Sequence, residues 1–267
     1  MTYQKQFSDE WGIILGGSSG FGLAALEKLA ASGMNIAVLY RETAAVDRKI
    51  KDTLSRIASE QQVIILPYNA NALDEQSRRS FILTFSAETG GKPVVRLLLH
   101  SIARGNLKPL IGDEGEGVLS HEDLAMTTYA MSTSLLDWVR DLVREGLFIP
   151  GAGVIGLTSG GAHRYWEGYG AVSVAKSSLE SLSTYMAVEF AKYGLRTNLI
   201  QAGITSTPSL NRIPGSERLL EHAARTNPLG RATTPRDVAN AIYLLCTEEA
   251  SWINGALLHV DGGEHCL

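Results

Sequence analysis

The stretch WGIILGGSSGFGLAALEKLAASG, residues 11–33, joins a short apolar run to a helical pattern through a glycine-rich turn. The apolar run at residues 13–15 predicts a buried strand. Leu26 and Leu29 mark the inner face of the predicted helix, and Gly33 is placed to end it. The stretch therefore predicts a strand that enters a helix through a tight turn.

Three glycines shape this turn, with Gly16, Gly20 and Gly22 in the order G-x-x-x-G-x-G. Residues without a Cβ allow the backbone to approach a pyrophosphate at a helix N-terminus. Glycine turns also join strands to helices for purely structural reasons. The position of this turn after the first strand and before a second one favours dinucleotide binding.

Strand and helix patterns alternate along the rest of the chain. Further strands are predicted at residues 35–40, 63–70, 94–101, 153–159, 195–203 and 256–263, and further helices at 44–60, 74–88, 125–145 and 237–247, with a long helix between the fifth and sixth strands. The alternation predicts an α/β fold, a Rossmann-type doubly wound parallel sheet of about seven strands with helices on both faces. We expect one domain over residues 1–267.

Two segments lack a clear pattern. Residues 104–123 are expected to be mobile, with an acidic, glycine-rich tip at residues 113–117. Residues 204–225 predict a loop with a broken helical pattern, and we expect a mobile substrate-binding stretch at about 204–226.

The composition excludes several classes of function. The 267 residues are 45% hydrophobic and 19% charged, and the net charge of −4 gives no attraction to nucleic acid or to anionic membranes. No apolar run approaches a membrane span, and the first residues lack the order of a signal peptide, so we expect a cytoplasmic protein. Cys246 and Cys266 form no disulfide framework, and the six histidines form no close ligand pair, so no metal site is predicted.

The end of the second strand indicates which nucleotide is used. An acidic residue there would bind the 2′-hydroxyl of NAD, whereas an arginine would suit the 2′-phosphate of NADP. The chain has Tyr40, Arg41 and Glu42 at this point, which favours NADPH over NADH. Two alternatives stay open, since Arg41 is also suited to a solvated helix start and Glu42 to the acidic role.

Tyr169 and Lys176 are the candidate catalytic pair. They are seven residues apart, which on a helix is about two turns, so both side chains are expected on one face with roughly 10 Å of rise between them. A cation beside a phenol favours the phenolate and makes the hydroxyl a stronger donor. Such a pair taken alone is more often an ordinary surface pair, but a nucleotide site gives it a reaction to serve.

Several of these motifs together resemble the short-chain dehydrogenase/reductase superfamily. They are the glycine turn, the long helix with Lys176, the N-x-x-x-x-G-x-x-x-T run at residues 198–207 and the VDGG motif at residues 260–263. The resemblance covers nearly the whole chain. Ser132 stands where most members carry a structural asparagine.

The departures from the common pattern resemble the enoyl-[acyl-carrier-protein] reductase branch. Most members place the tyrosine four residues before the lysine, where this chain has Val172, and the Y-x6-K spacing is that of the enoyl reductases. The HSIA sequence at 100–103 and the AG pair at 202–203 are also similar to this branch. Ser159 replaces a second tyrosine of the commonest bacterial type, and the segment 159–169 is similar to a divergent, NADPH-dependent enoyl reductase.

The resemblance implies roles for the site residues. Tyr169 would donate to the enolate oxygen, Lys176 would bind the nicotinamide ribose, and Ser159 would either add a second donor or cap the strand end. Implied cofactor contacts are Gly16, Ser18, Ser19, Gly20, Phe21 and Gly22 at the phosphates, Arg41 at the 2′-phosphate, Asn69 and Ala70 near the adenine, Ser101, Ile102 and Ala103 near the ribose, and Gly203, Ile204 and Thr207 near the carboxamide. Tyr165, Trp166, Leu210 and Ile213 would either bind the acyl chain or pack in the core.

The implied substrate is an enoyl thioester on acyl carrier protein or CoA. Arg212, Arg218 and Arg225 would either form a docking patch for the acidic carrier or be solvated. The long helix has more than one face that can pack, which predicts a homo-oligomer, a homotetramer or a homodimer. Two alternative functions remain: a carbonyl reductase or alcohol dehydrogenase of the same superfamily, and a non-catalytic NADP-binding sensor or scaffold protein.

Overall fold

The computed structural model describes residues 6–113, 117–213 and 215–267, and in these ranges seven parallel strands form one sheet. The strands are β1 Trp11–Leu15, β2 Asn35–Tyr40, β3 Ile65–Asn69, β4 Val95–His100, β5 Phe148–Ser159, β6 Arg196–Ala202 and β7 Leu257–Val260. Their order across the sheet is β3-β2-β1-β4-β5-β6-β7. The chain winds in one direction from β1 to β3 and in the other from β4 to β7, so the predicted doubly wound parallel sheet is confirmed.

Helices cover both faces of this sheet. They are α1 Gly20–Ala31, α2 Ala44–Gln61, α3 Glu75–Glu88, α4 His121–Thr128, α5 Ser134–Arg144, α6 Gly170–Glu189, α7 Ser216–Thr226 and α8 Pro235–Cys246. Helices α1, α2 and α8 contribute side chains to one apolar cluster, and α3, α5 and α6 contribute to the other. None of the helices in the described ranges is long and apolar enough to cross a membrane.

The apolar runs of the strands divide between these two clusters. Ile13 and Leu15 of β1 pack in the cluster that contains Trp138, whereas Ile14 packs in the cluster of α1 and α8. Successive side chains of a strand point to opposite faces of a sheet. A strand with helices on both faces therefore has no polar face, which explains the unbroken apolar runs in the sequence.

The prediction of a loop over residues 204–225 is wrong in its second half. A short turn at Leu210–Arg212 is followed by α7, which buries Ala223. Gly215 precedes α7 with a positive φ of 75° and separates it from the turn. The helical pattern of α7 is amphipathic but only 11 residues long. It is too short, and too close to Gly215, to be recognised as a helix from the sequence.

The helix predicted at residues 125–145 also differs from the structure. It begins earlier as α4, since Ser120 and Asp123 form a reciprocal capping box, and it continues into α5 through a π-helical turn at Tyr129–Thr133. The S-x-x-D signal was present in the sequence. Strand β5 likewise begins at Phe148, five residues before its predicted start at residue 153.

The first part of the segment expected to be mobile is anchored to α4, the helix in which the segment ends. Lys108 forms an ion pair with Asp123 at 2.6 Å, and the Asn106 side chain donates to the same carboxylate at 2.7 Å. Most of the acidic tip, residues 114–116, lies outside the described residues. Mobility of this segment stays a prediction.

Candidate active site

A cavity of about 820 Å³ opens at the carboxyl ends of the central strands. Strands β1 and β4 lie side by side there, although the chain leaves them in opposite directions, and ligands of open α/β sheets bind at such a switch point. The cavity is lined by the glycine turn and by residues that follow β2, β3, β4, β5 and β6. The topology thus gathers residues from most of the chain into one site.

The glycine turn is packed so tightly that side chains are excluded from it. Gly16 has a φ of 89°, and a Cβ on it would lie 2.5 Å from the carbonyl oxygen of Ser101. A Cβ on Gly22 would lie 2.1 Å from the carbonyl oxygen of Gly16. Helix α1 begins at Gly20, and its N-cap Ser19 makes no side-chain capping bond, so the first amides of the helix can donate to an anion. These residues fit a bound pyrophosphate.

The loop after β2 is fixed by Asn69 at the end of β3. The Asn69 side chain accepts from the backbone N–H of Glu42 and donates to its carbonyl oxygen, both at 3.0 Å. Ser18 donates to the Glu42 carboxylate at 3.2 Å. Arg41 is exposed and lines the cavity. The Asn69 side chain thus holds this loop, and its neighbour Ala70 lines the cavity. The adenine contacts of both residues stay a prediction.

The strand β4 ends in the buried His100. The next three residues, Ser101, Ile102 and Ala103, line the cavity. His100 Nε2 lies 3.0 Å from the Ser134 hydroxyl. Burial, with a further effect of the Lys176 charge, lowers the pKa of His100 to about 3. His100 is therefore neutral at physiological pH and adds no charge to the site.

Tyr169 and Ser159 meet in the wall of the cavity. The Ser159 Oγ and the Tyr169 hydroxyl are 3.2 Å apart, and the edge of Trp166 packs on the Tyr169 ring with 5.1 Å between the ring centroids. Tyr169 precedes the first residue of α6, so the expectation that it lies on the helix with Lys176 is wrong by one position. Ser159 lies at the last position of β5.

The tyrosine is more protonated than the sequence argument expected. Burial raises the pKa of Tyr169, and the hydrogen bond with Ser159 only partly opposes this. We expected the neighbouring cation to favour the phenolate. The phenol is 8% exposed and desolvation dominates, so it stays neutral and able to donate.

Lys176 lies in the second turn of α6 and is 6% exposed. Its ammonium donates to the carbonyl oxygen of Leu157 at 2.6 Å. Burial lowers the pKa of Lys176 to about 8, against the opposing effect of the Glu180 carboxylate. This lysine is thus charged at neutral pH but loses its proton under mildly alkaline conditions.

The end of β6 completes the site. Gly203, Ile204 and Thr207 line the cavity, and Thr207 lies against Gly20, whose Cβ would be 3.5 Å from the Thr207 methyl carbon. The backbone N–H of Ile204 donates to the Glu264 carboxylate at 3.1 Å. The two ends of the site, phosphate turn and β6 loop, are therefore in contact.

The apolar side of the cavity includes Trp166, Leu210 and Ile213, and their role in binding an acyl chain stays a prediction. Tyr165 does not belong to it. Its side chain is 88% exposed and does not line the cavity, because the adjacent Trp166 turns inward against Tyr169. The prediction of Tyr165 as a substrate-binding residue is corrected accordingly.

The C-terminal segment contributes cavity residues that the sequence argument missed. His259, Asp261, Glu264 and His265 line the cavity, and only the VDGG motif pointed to this segment. Burial raises the pKa of Glu264. Arg164, also in the lining, donates to the carbonyl oxygen of His265 at 3.1 Å.

His259, Asp261 and His265 place potential metal-ligating atoms within 4.8 Å of one another. The imidazole rings are stacked, with 3.8 Å between their centroids. The Asp261 carboxylate accepts from the backbone N–H groups of Gly263 and His265 and from the His265 ring. These contacts explain the cluster as part of the C-terminal turn, and the absence of a metal site stays a prediction.

This fold and this site define a pyridine-nucleotide-dependent oxidoreductase of the short-chain dehydrogenase/reductase class. The chain belongs to the enoyl-(acyl carrier protein) reductase family, whose sequence profile matches residues 16–265. The branch indicated by the Y-x6-K spacing is thereby confirmed.

Individual relatives agree with this family. The chain is 28% identical over 255 residues to the enoyl-[acyl-carrier-protein] reductase [NADH] FabI of Nostoc sp., covering 94% of this chain and 93% of the relative. It is 32% identical over 175 residues to the FabI of Aquifex aeolicus, covering 64% of this chain and 62% of that protein. A probable 2,4-dienoyl-CoA reductase of Bacillus subtilis is 28% identical over 258 residues, or 94% of this chain and 95% of the relative.

Solved structures share the fold. The Bacillus cereus enoyl-acyl carrier protein reductase with NADP+ and an indole naphthyridinone has a TM-score of 0.85 at 22% identity, and the alignment covers 99% of each chain. The Aquifex aeolicus reductase has a TM-score of 0.82 at 23% identity, covering 98% of this chain and 99% of that one.

Proposed function

We propose that this protein is an enoyl-[acyl-carrier-protein] reductase, which reduces the trans-2 double bond of an enoyl thioester with hydride from NAD(P)H. One observation carries the proposal. The cavity holds the phenol of Tyr169, seven residues before a buried Lys176, whereas the position four residues before the lysine is a buried valine, Val172. A valine cannot donate a proton, which argues against a carbonyl reductase of the common pattern.

The reaction requires a donor at the thioester carbonyl, because negative charge arrives on that oxygen when the β-carbon is reduced. A bound nicotinamide supplies the hydride to the β-carbon. We assign the donation to the carbonyl oxygen to the Tyr169 hydroxyl, which is neutral because burial raises its pKa. Ser159, 3.2 Å from that hydroxyl, either adds a second donor or caps the end of β5.

We propose that Lys176, which is buried in α6, assists the same step. We assign it the nicotinamide ribose hydroxyls as hydrogen-bond partners, and its charge assists the donor. Gly203, Ile204 and Thr207 are assigned to the carboxamide side, and Ser101, Ile102 and Ala103 to the ribose. Trp166, Leu210 and Ile213 border an apolar slot for the acyl chain. Leu210 and Ile213 belong to a substrate-binding stretch at about 204–226 of a single-domain enzyme.

We further propose NADPH as the preferred nucleotide. Arg41 is exposed in the cavity lining, whereas the Glu42 carboxylate accepts from Ser18. A guanidinium is suited to the 2′-phosphate of NADP. The relatives from Nostoc and Aquifex carry NADH in their names, so the preference of this chain depends on the Arg41 argument.

Replacing Arg41 with alanine is expected to weaken NADPH binding by about 10-fold or more, because a charge-assisted hydrogen bond is lost. Binding of NADH should change less than about two-fold, since NADH has no 2′-phosphate. Nucleotide fluorescence titrations measure both constants. Arg48→Ala, at an exposed arginine of α2 outside the cavity lining, is the matched control. An equal loss for both nucleotides would contradict the assignment.

The carrier of the acyl group is proposed to be acyl carrier protein. Arg212, Arg218 and Arg225 are exposed on the turn and helix that follow the substrate slot, and Arg212 lines the cavity. Acyl carrier proteins are acidic, and such a patch would steer them to the site. Glu217 and Glu221 on the same helix reduce the net positive charge of the patch.

Replacing the three arginines with alanine is expected to raise the KM for carrier-bound enoyl substrate by about 10-fold and to leave the KM for the CoA thioester unchanged. Steady-state kinetics with both substrates measure the difference. Glu217 and Glu221 replaced by glutamine provide the opposite charge change on the same helix. Equal effects of the arginine variant on both substrates would show that the patch does not dock a carrier.

The assembly is proposed to be a homodimer or homotetramer. Val174, Tyr185 and Val188 are exposed on α6, which is the helix that carries Lys176. An apolar stripe of this kind on a surface helix favours burial against a second copy. Light scattering of the purified protein measures the subunit number.

The function is tested by following NAD(P)H oxidation with crotonyl-CoA and longer enoyl thioesters, beside a ketone control. We expect turnover of the thioester and none of the ketone. Ketone turnover would move the protein to the carbonyl reductases. Nucleotide binding without oxidation by either compound would favour a sensor or scaffold.

A further inference from the structure

A side-chain network links the end of β5 to α6, next to the candidate catalytic residues but outside the set assigned above. The Thr158 hydroxyl donates to Glu180 Oε1 at 2.6 Å, and His163 Nε2 lies 2.7 Å from Glu180 Oε2. Thr158 precedes Ser159 in β5, and Glu180 follows Lys176 by one turn of α6. Both oxygens of one carboxylate are thus used to join the two elements that carry the site.

The rest of this helix face binds the same segment. The hydroxyls of Ser173 and Ser177 both donate to the carbonyl oxygen of Ala162, at 3.4 and 3.2 Å. Side chains at 173, 177 and 180 share a face because of the helical repeat. The segment from Thr158 to His163, which holds Ser159 against Tyr169, is therefore held by α6 at several points.

Glu180 is well placed to act on Lys176 as well. The two residues are four apart on α6, and the Glu180 side chain is 16% exposed, so solvent screens its charge only in part. Lys176 is buried, and burial lowers its pKa to about 8 while Glu180 opposes that effect. The pKa of this lysine is therefore close to physiological pH. A small electrostatic change therefore decides whether this lysine is charged.

We propose that Glu180 is a positioning residue of this site, which fixes the end of β5 against α6 and keeps Lys176 charged. Its side chain does not line the cavity, so it acts through Thr158 and Lys176. The proposal deepens the proposed function, because a charged Lys176 is the form assigned to ribose binding and to assisting Tyr169.

The other ionisable groups around Lys176 do not supply this charge. His100 on β4 is neutral, because its pKa is lowered to about 3. Tyr169, just before α6, is a neutral phenol with a raised pKa. His163, from the turn after β5, faces the far oxygen of Glu180 and is 61% exposed. Among the described residues, Glu180 is the acid whose charge acts on the pKa of Lys176.

The test separates the charge of Glu180 from its hydrogen bond. Glu180→Gln keeps the shape and the acceptor oxygen for Thr158 but removes the charge. Thr158→Val removes the hydrogen bond but keeps the charge. Glu189→Gln, at the exposed last residue of α6, makes the same change of charge about 20 Å along the helix from Lys176. The NADPH dissociation constant is measured against pH for each protein, and the pH profile of kcat beside it.

We expect Glu180→Gln to move the alkaline limit of NADPH binding and of kcat to lower pH by about one unit, since a close opposite charge shifts a pKa by that order. Thr158→Val should leave the limit in place and lower kcat several-fold at every pH. Glu189→Gln should behave as wild type. An unmoved limit in Glu180→Gln, or an equal shift in Thr158→Val, would overturn the proposal.

The binding measurement does not depend on turnover. If the wild-type protein reduces no enoyl thioester but Glu180→Gln moves the limit of NADPH binding, the proposed function fails and the role of Glu180 stands. If turnover is seen and the limit does not move in Glu180→Gln, the role of Glu180 fails and the proposed function stands.

Discussion

Replacing Tyr169 with phenylalanine is expected to lower kcat for enoyl thioester reduction by about 10²- to 10⁴-fold. The change removes the one hydroxyl that we assign to the carbonyl oxygen and keeps the ring that packs against Trp166, so the fold and the nucleotide site should persist. Stopped-flow measurement of NADPH oxidation at saturating nucleotide gives kcat, and fluorescence titration gives the NADPH dissociation constant, which should change less than about two-fold.

Two variants sharpen this test. Tyr165→Phe makes the same chemical change at an exposed tyrosine outside the cavity and should leave kcat unchanged. Ser159→Ala removes the hydroxyl 3.2 Å from Tyr169 and separates a second donor, which would cost kcat, from a strand cap, which would not. A Tyr169→Phe enzyme with wild-type kcat would show that another group protonates or stabilises the enolate.

Replacing Lys176 with methionine is expected to abolish measurable turnover while making the protein more stable. A buried charge is costly, and the lowered pKa of about 8, against the ordinary 10.5, reports that cost. An apolar side chain of similar length removes it, so the free energy of unfolding at pH 7 should rise by about 1–3 kcal/mol. The melting temperature should rise by about 2–6 °C, which differential scanning calorimetry measures.

The stability difference between Lys176→Met and the wild type should change with pH in a direction that can be measured. Below pH 8 the lysine is protonated in both the folded and the unfolded chain, and the full cost of its buried charge is present. Between pH 8 and 10.5 the unfolded chain binds more protons, so the stability of the wild type rises with pH relative to the variant. The advantage of Lys176→Met should therefore shrink over that range. A variant that is less stable than wild type at pH 7 would contradict the account.

The sequence was sufficient for the sheet because its strands are buried on both faces. An unbroken run such as that of β1 is hard to place anywhere but between two layers of helices, and the glycine turn at Gly16 and Gly22 has no room for a side chain. The family resemblance also rested on exact spacing, with Val172 and Tyr169 at defined distances from Lys176. Apolar runs and residue spacings can be recognised in a sequence without knowledge of tertiary contacts.

The features that were missed depend on contacts between distant parts of the chain. The C-terminal Glu264 meets Ile204 only after the sheet has formed, so no local pattern announces that contact. The direction of the pKa shift of Tyr169 was missed for the same reason, since burial of the phenol is a property of the packed site. Tyr165 and Trp166 are adjacent in sequence, and only the fold decides which of the two faces the cavity.

Helix α7 was missed in the sequence for a different reason. Its 11 residues carry few apolar side chains, and Gly215 separates it from the preceding turn, so its helical period is short and interrupted. Tertiary packing of Ala223, which is buried, selects the helix where the local pattern alone does not.

The central claim is that hydride reaches the β-carbon of an enoyl thioester while Tyr169 serves the carbonyl oxygen. The most direct test is a single turnover of crotonyl-CoA with NADPH that carries deuterium at both C4 positions, followed by mass spectrometry and NMR of the product. The account predicts butyryl-CoA with one deuterium on the β-carbon, and no such product from Tyr169→Phe on the same timescale. Deuterium on a carbinol carbon, from reduction of the carbonyl group, would contradict it.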